Sequence, residues 1–301
     1  MQRLEFRAMG CHMLTAFDAD KHTADLNAVP LWFESWEQTF SRFRADSELN
    51  RINHCAGQWT RVSTSMWDVI HLALLAARWT DGLFSPTILN ALEAVGYDRT
   101  FDEVTTNAQP IVTQPDGQWR SIQRQSLNRS ICLPSNVRLD LSGIVKGWAA
   151  DRAAKKLGVR GPALIDAGGD IAVSGPQADG TPWPIGVLNP FQPDQSFETL
   201  KIERGGVATS GKDYRRWLRD GKWQHHLIDP RTGLPAQTDV LSVTVIASTT
   251  VEAEIAAKII AISGSEQGLA WLEEQPDYAA VIVREDGRAV YSAQMNRYLW
   301  N

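Results

Sequence analysis

Residues 140–147 read DLSGIVKG and residues 166–170 read DAGGD, so two glycine turns, several carboxylates and a lysine fall close together in the chain. Such residues could grip an anionic, phosphate-bearing ligand. A helix that opens just after a glycine turn presents unpaired N–H groups and the positive end of its dipole. Lys146 falls in the first turn of such a helix, where its charge opposes the dipole, and an anionic partner would account for it. Two ordinary strand-to-helix turns would contain the same residues. The spacing is not that of a Walker loop, because GxxxxGK[ST] is absent, nor of a dinucleotide fingerprint, because no GxGxxG opens a first strand–helix turn. On these residues alone, phosphate binding and plain turn chemistry weigh equally.

A third cluster lies further on: GGVATSGKDYRRW (205–217), HHLIDPRTGLP (225–235) and SVTVIASTTVEAEIAAKIIAISG (242–264). DPRTG is turn chemistry, with proline fixing φ and glycine supplying positive φ. His225 and His226 end the strand expected before it. SVTVIA is a β-branched strand, and a helix follows from a capping box of Thr249 and Glu252, burying Val251, Ile255, Ile259 and Ile262.

Other elements must hold these in place. VPLWFESWEQTF (29–40) spaces Trp32, Trp36 and Phe40 as the buried stripe of a helix. Residues 63–82 form a second helix, with Ser65 and Asp68 as its capping box, His71 as a core or boundary histidine, and Gly82 at its stop. Between Asp98 and Asn136 the chain is polar, with Asp-Gly at 116–117 as a hairpin signal and little chemistry expected. VRLDL (137–141) reads as a strand. The helix after it ends at Gly158, burying Ile144, Trp148 and Leu157 and turning Asp151, Arg152, Lys155 and Lys156 to water. PALIDAGGDIAVSG (162–175) reads as strand, turn, strand. Helices and hairpins interspersed, with few βαβ units, give an α+β class.

Bulk properties exclude some functions. A formal charge of −5 argues against a nucleic-acid surface, and the densest basic stretch, RSIQRQSLNR (120–129), is interrupted by other residues. With 301 residues, 43% of them hydrophobic, the chain can bury a real core. Three widely spaced cysteines suggest neither a disulfide framework nor a zinc site. The opening MQRLEFRAMGCHM has no apolar leader, no stretch is long enough to span a bilayer, and the expected location is cytoplasmic.

Taken in order, RAMG (7–10), FSRFRADSELNRIN (40–53), DGLFSPT (81–87), GYDRTF (96–101), DLSGIVKGWAADRA (140–153), DAGGD, ATSG (208–211), HLIDPRTG (226–233) and the last of these helices resemble the FAD:protein FMN transferases, the ApbE-type flavin transferases. The resemblance runs nearly end to end. It implies one T-fold-related catalytic domain over residues 1–301, with mainly antiparallel sheets. It implies FAD as substrate, its FMN half joined to a threonine hydroxyl of an acceptor protein with release of AMP, and Mg²⁺ on the pyrophosphate. By motif position, Met9, Ser41, Arg42, Phe43, Leu83, Phe84, Ser85, Asp140, Lys146 and Leu227 would contact FAD. Gly143, through its carbonyl, and Glu254 would hold the metal. His226 would take the proton of the attacking hydroxyl. DAGGD would shape a neighbouring wall with no contact assigned.

Several positions depart from the family pattern. Glu254 and Lys258 stand where an Asp and, four residues later, a Thr usually bind the metal. Cys11 replaces a common Thr, and Ser85 replaces a common Asp. A charged lysine cannot ligate a metal, although its ammonium could stand in for the ion. Alternatively, Glu254 and Lys258 are a simple i,i+4 helix pair. Three functions follow in order: a flavin transferase, an FAD pyrophosphatase releasing FMN and AMP, and a non-catalytic FAD-binding protein.

Overall fold

SVTVIA does form a strand, Val240–Ala247, and its near-continuous burial shows that it is covered on both faces. It lies within an eight-stranded sheet of order Gln2–Ala8, Cys11–Phe17, Ala163–Ala167, Asp170–Val173, Gly205–Gly211, Val240–Ala247, Ala279–Arg284, Ala289–Tyr291. Every neighbouring pair is antiparallel. The computed structural model describes residues 1–19, 23–106, 110–219 and 221–300. They form two compact units, one of residues 1–34, 146–213 and 238–301, the other of residues 35–145 and 214–237.

In the first unit, Val207, Ile246 and Val281 point to one face of the large sheet. There they join Trp183, Ile185, Val187, Leu200 and Ile202 from the hairpin Trp183–Asn189/Gln192–Ile202. Period-2 alternation turns Gly206 and Ala208 the other way, toward the helix Thr250–Ser263. A Cβ on Gly206 would lie 2.1 Å from the Thr250 nitrogen, so the helix start rests directly on strand backbone and only glycine fits. The expected capping box is present: Thr249 Oγ1 accepts from the Glu252 N–H at 3.2 Å, and Glu252 Oε2 accepts from the Thr249 N–H at 3.0 Å.

The second unit is built on the helices Glu48–His54, Thr64–Trp79 and Leu89–Ala94, with small sheets. Its late segment 214–237 returns to pack Trp217 and Ile228 against Leu92, Val95 and Tyr97, and the Trp217 indole donates to the Val95 carbonyl at 2.9 Å.

Several local expectations are corrected. Ser63, not Ser65, caps the helix Thr64–Trp79, because its hydroxyl accepts from the Met66 N–H at 3.2 Å. His71 is exposed on that helix, 2.7 Å from Arg124 Nη1. In the helix Val29–Phe40, Val29, Phe33 and Phe40 are buried, while Trp32 and Trp36 are only half-buried; Lys156 Nζ sits 4.3 Å from the centre of the Trp32 ring. VRLDL pairs with no strand, because other groups satisfy its backbone: Leu139 N–H donates to Asn53 Oδ1 at 2.7 Å and Asp140 N–H to the Pro86 carbonyl at 2.9 Å. No hairpin forms at Asp116-Gly117; the pairing strands there are Gln123–Gln125 and Ser130–Cys132. Asp151 does not turn to water but to the start of the helix Thr250–Ser263.

Candidate functional site

The helix Val145–Gly158, which lies in the first unit from Lys146 onward, and the helix Thr250–Ser263 hold each other's starts. Asp151 accepts from the Thr250 and Val251 N–H groups at 3.0 and 3.1 Å. In return, Glu254 Oε2 accepts from the Gly147 N–H at 3.0 Å. A Cβ at Gly147 would lie 2.8 Å from Glu254 Oε2 and 2.9 Å from the Thr250 carbonyl oxygen, so glycine lets the two helices close to this distance. Burial pushes the Asp151 carboxyl above its usual range, against the lowering effect of the Thr250 and Val251 bonds.

Around that contact lies a cluster of buried ions. Lys146 Nζ is bound to Asp170 Oδ2, with the lysine 20% and the aspartate 2% exposed. Burial alone would lower the Lys146 pKa, but Asp170, Glu254 and Cys11 together raise it, so it stays an ammonium. Lys258 Nζ lies 3.0 Å from Glu254 Oε1, and Glu254 is 1% exposed. Burial pushes the Glu254 carboxyl upward, as does Asp170, while Lys258 and Lys146 oppose the shift. Asp166 is likewise raised by burial and accepts from the Gly169 N–H at 2.7 Å. The anion that Lys146 requires is therefore Asp170, and DAGGD does more than shape a wall. Its Gly168 also packs closely on Cys11, since a Cβ there would lie 2.9 Å from Cys11 Sγ. Met9 and Gly10 form the tight turn before Cys11, with φ of 50° and 68°, and Met9 bears the cost of a left-handed conformation without being glycine.

The second unit gathers most of the other expected residues. Arg42 Nε lies 2.9 Å from Asp140 Oδ2, with both side chains almost fully buried. The N–H is not aligned for a hydrogen bond, and Arg42 Nη2 is buried with no hydrogen-bond partner among the described residues. The guanidinium carbon is 4.2 Å from the Phe43 ring centre and 4.5 Å from that of Tyr97. Asp140 Oδ1 accepts from the Ser142 N–H at 2.9 Å and its hydroxyl at 2.5 Å, which shapes the turn ahead of Gly143. Ser41 Oγ accepts from the Phe43 N–H at 3.2 Å. Leu83 is half-buried, and Phe84, Ser85 and Leu227 are buried. His225 is bound through Nε2 to the Ala236 carbonyl at 3.0 Å, a structural role; His226 beside it is half-buried.

Sequence reasoning missed Asp116. Its carboxylate receives Ser85 Oγ, and Thr87 Oγ1 lies at 2.7 and 2.8 Å from its two oxygens. The stretch expected to hold little chemistry thus brings a carboxylate to Ser85. The replacement of the usual Asp by Ser85 was the available signal, since a carboxylate lost at one position can be supplied from another.

The metal expectation can be tested on the donor set. Among the described residues, no group of three or more His, Cys, Asp or Glu is placed to hold a metal ion. Glu254 has a donor on each oxygen, one of them the Lys258 ammonium. An ion ~2.1 Å from that carboxylate would lie about 4 Å from the ammonium, with repulsion of roughly 8 kcal/mol at an effective dielectric of ~20. A divalent ion does not fit beside Glu254 as these residues stand. The other expected ligand, Gly143, belongs to the second unit.

Comparison with known proteins gives a consistent answer. The ApbE family model matches residues 9–282. The FAD:protein FMN transferase of Vibrio cholerae serotype O1 is 32% identical over 265 residues, covering 84% of this chain and 77% of its own. That of Salmonella typhimurium LT2 is 30% identical over 307 residues, covering 96% and 83%. The crystal structure of the ApbE protein of Thermotoga maritima superposes with a TM-score of 0.89 at 25% identity, covering 100% of this chain and 99% of that one. With the family model spanning most of its length and relatives this similar, the chain belongs to the ApbE family.

Proposed function

We propose that this chain is an FAD:protein FMN transferase. Its family membership over residues 9–282 is the observation that carries this reading. In the reaction, a threonine oxygen of the acceptor attacks the FMN-side phosphorus of FAD. A new P–O bond forms, the bond to the bridging oxygen breaks, and AMP leaves with the electron pair. His226 takes the hydroxyl proton, because imidazole exchanges protons near neutral pH and its neighbour His225 is already committed to Ala236.

In this reading, residues 1–301 act as one catalytic domain. The buried, unpartnered Arg42 Nη2, on a guanidinium lying against the Phe43 and Tyr97 rings, supports a role for Arg42 and Phe43 at an anionic ligand. Asp140 and Gly143 shape the phosphate turn. Met9, Ser41, Leu83, Phe84, Ser85 and Leu227 line the flavin nucleotide. Lys146 acts on it as one half of an ion pair with Asp170. Mg²⁺ was the sequence expectation, but the donors around Glu254 do not suit it, so no step is assigned to a metal. The location is read as cytoplasmic; cell fractionation tests that part. Among the described residues, no helix is long and apolar enough to cross a membrane.

The test is to incubate the purified chain with FAD and a threonine-bearing acceptor protein, then follow the acceptor by mass spectrometry. FMN attached to the acceptor, and lost in its Thr→Ala variant, is expected. Free FMN and AMP with an unmodified acceptor would identify a pyrophosphatase instead. FAD bound but unchanged would identify a binding protein. For His226→Ala, about a 10²- to 10⁴-fold lower transfer rate is expected, with FAD affinity little changed.

A further inference from the structure

We infer that in this chain the Lys258 ammonium occupies the role of a divalent cation, so that FAD is held without a metal. The inference rests on the FAD reading above. Lys258 is tied at 3.0 Å to Glu254 Oε1, and the other Glu254 oxygen is fixed by the Gly147 N–H at 3.0 Å. The ammonium is therefore positioned by a side chain that is itself anchored to the start of the Lys146 helix. An ammonium has three donors, and one is committed here to Glu254. The Lys258 side chain keeps 19% of its exposure, so a ligand can reach it.

A purely structural pair explains this arrangement poorly. Ala253, Ile255, Ala256, Ala257 and Ile259, the neighbours of the pair along the helix, are buried and apolar. Replacing a buried ion pair by apolar side chains of similar volume often stabilises a protein, so helix packing gains little from these charges. The pair instead makes sense as a held ammonium whose remaining donors can meet phosphate oxygens. Lys146, held by Asp170 in the same unit, is a second ammonium of the same kind. Both lysines are neutralised by carboxylates, so the cluster does not repel itself when no ligand is bound.

The test compares FAD affinity, read by flavin fluorescence, in EDTA and in Mg²⁺, for the intact chain and for Lys258→Thr. For the wild type, equal affinity within about twofold in both conditions is expected, and for Lys258→Thr at least a tenfold weaker affinity in EDTA that Mg²⁺ recovers in part. Wild-type affinity rising tenfold or more with Mg²⁺ would overturn the inference. Should Lys258→Thr fail to fold, Mn²⁺ titration of the wild type followed by electron paramagnetic resonance decides the matter. No stoichiometric Mn²⁺ site is expected, and one abolished by Glu254→Gln would overturn the inference. No FAD binding in any condition would instead overturn the functional reading beneath it.

Discussion

The two helices that grip each other at Gly147 and Thr250 start very differently. The helix Thr250–Ser263 is closed by structure: Thr249 and Glu252 form a reciprocal box, Asp151 takes two further amides, and Gly206 lets strand backbone sit beneath it. The helix Val145–Gly158 gives its Gly147 amide to Glu254, a carboxylate already gripped by Lys258, and its first turn carries the Lys146–Asp170 pair. The same chemistry, carboxylate on helix amide, serves packing at one start and builds an ion-rich site at the other. One start is scaffold, and the other gathers the buried charges that the proposed function places beside FAD.

Substitutions at the scaffold start should have the largest effect. Gly206→Ala would drive a methyl into the Thr250 backbone, and a loss of about 3 kcal/mol or more by urea denaturation is expected. Asp151→Ala should cost less, roughly 2 kcal/mol, since two buried amides lose their acceptor while the capping box survives. Gly147→Ala meets a side-chain oxygen and a carbonyl. Helix propensity returns about 1 kcal/mol of that cost, leaving a net loss of order 1 kcal/mol in the same denaturation assay. Its larger effect should be on FAD affinity, because Glu254 must move. If Gly206→Ala proved harmless while Gly147→Ala unfolded the chain, the division between scaffold and site would be reversed.

The smallest expected effect is pH-dependent and belongs to Asp166. Burial raises the folded pKa of Asp166 above its unfolded value of about 3.9. Its contribution to stability is then fully present below that unfolded value and is lost as pH rises through the folded one. Asp166→Asn keeps an acceptor for the Gly169 N–H without the charge. The variant should therefore gain on the wild type as pH rises from 4 to 7, by less than about 1 kcal/mol, read from denaturation at both pH values. A difference that is flat with pH would mean the Asp166 charge is not felt.

Much of this was legible in the sequence where local rules decide. The Thr249/Glu252 box, the β-branched strand before it and the strand–turn–strand around DAGGD all rest on short-range periodicity or capping, and all are present. What failed was tertiary. VRLDL has the composition of a strand, but its amides are taken by Asn53 and the Pro86 carbonyl, from distant parts of the chain. Asp151 reads as a solvated residue until the helix ninety-nine positions later arrives to use its oxygens. The partner of Lys146 was visible only as a requirement, since a charge near a helix start must be met, and Asp170 supplies it from across a turn. Asp116 reaches Ser85 over thirty-one residues, beyond any local pattern.

The most direct measurement follows a single reaction of the wild-type chain with FAD and an acceptor protein, counting AMP released against flavin covalently fixed on the acceptor. Equal amounts of the two are expected throughout the time course. AMP released with equal free FMN and a bare acceptor, or FAD left intact, would contradict the assignment of this chain as a flavin transferase.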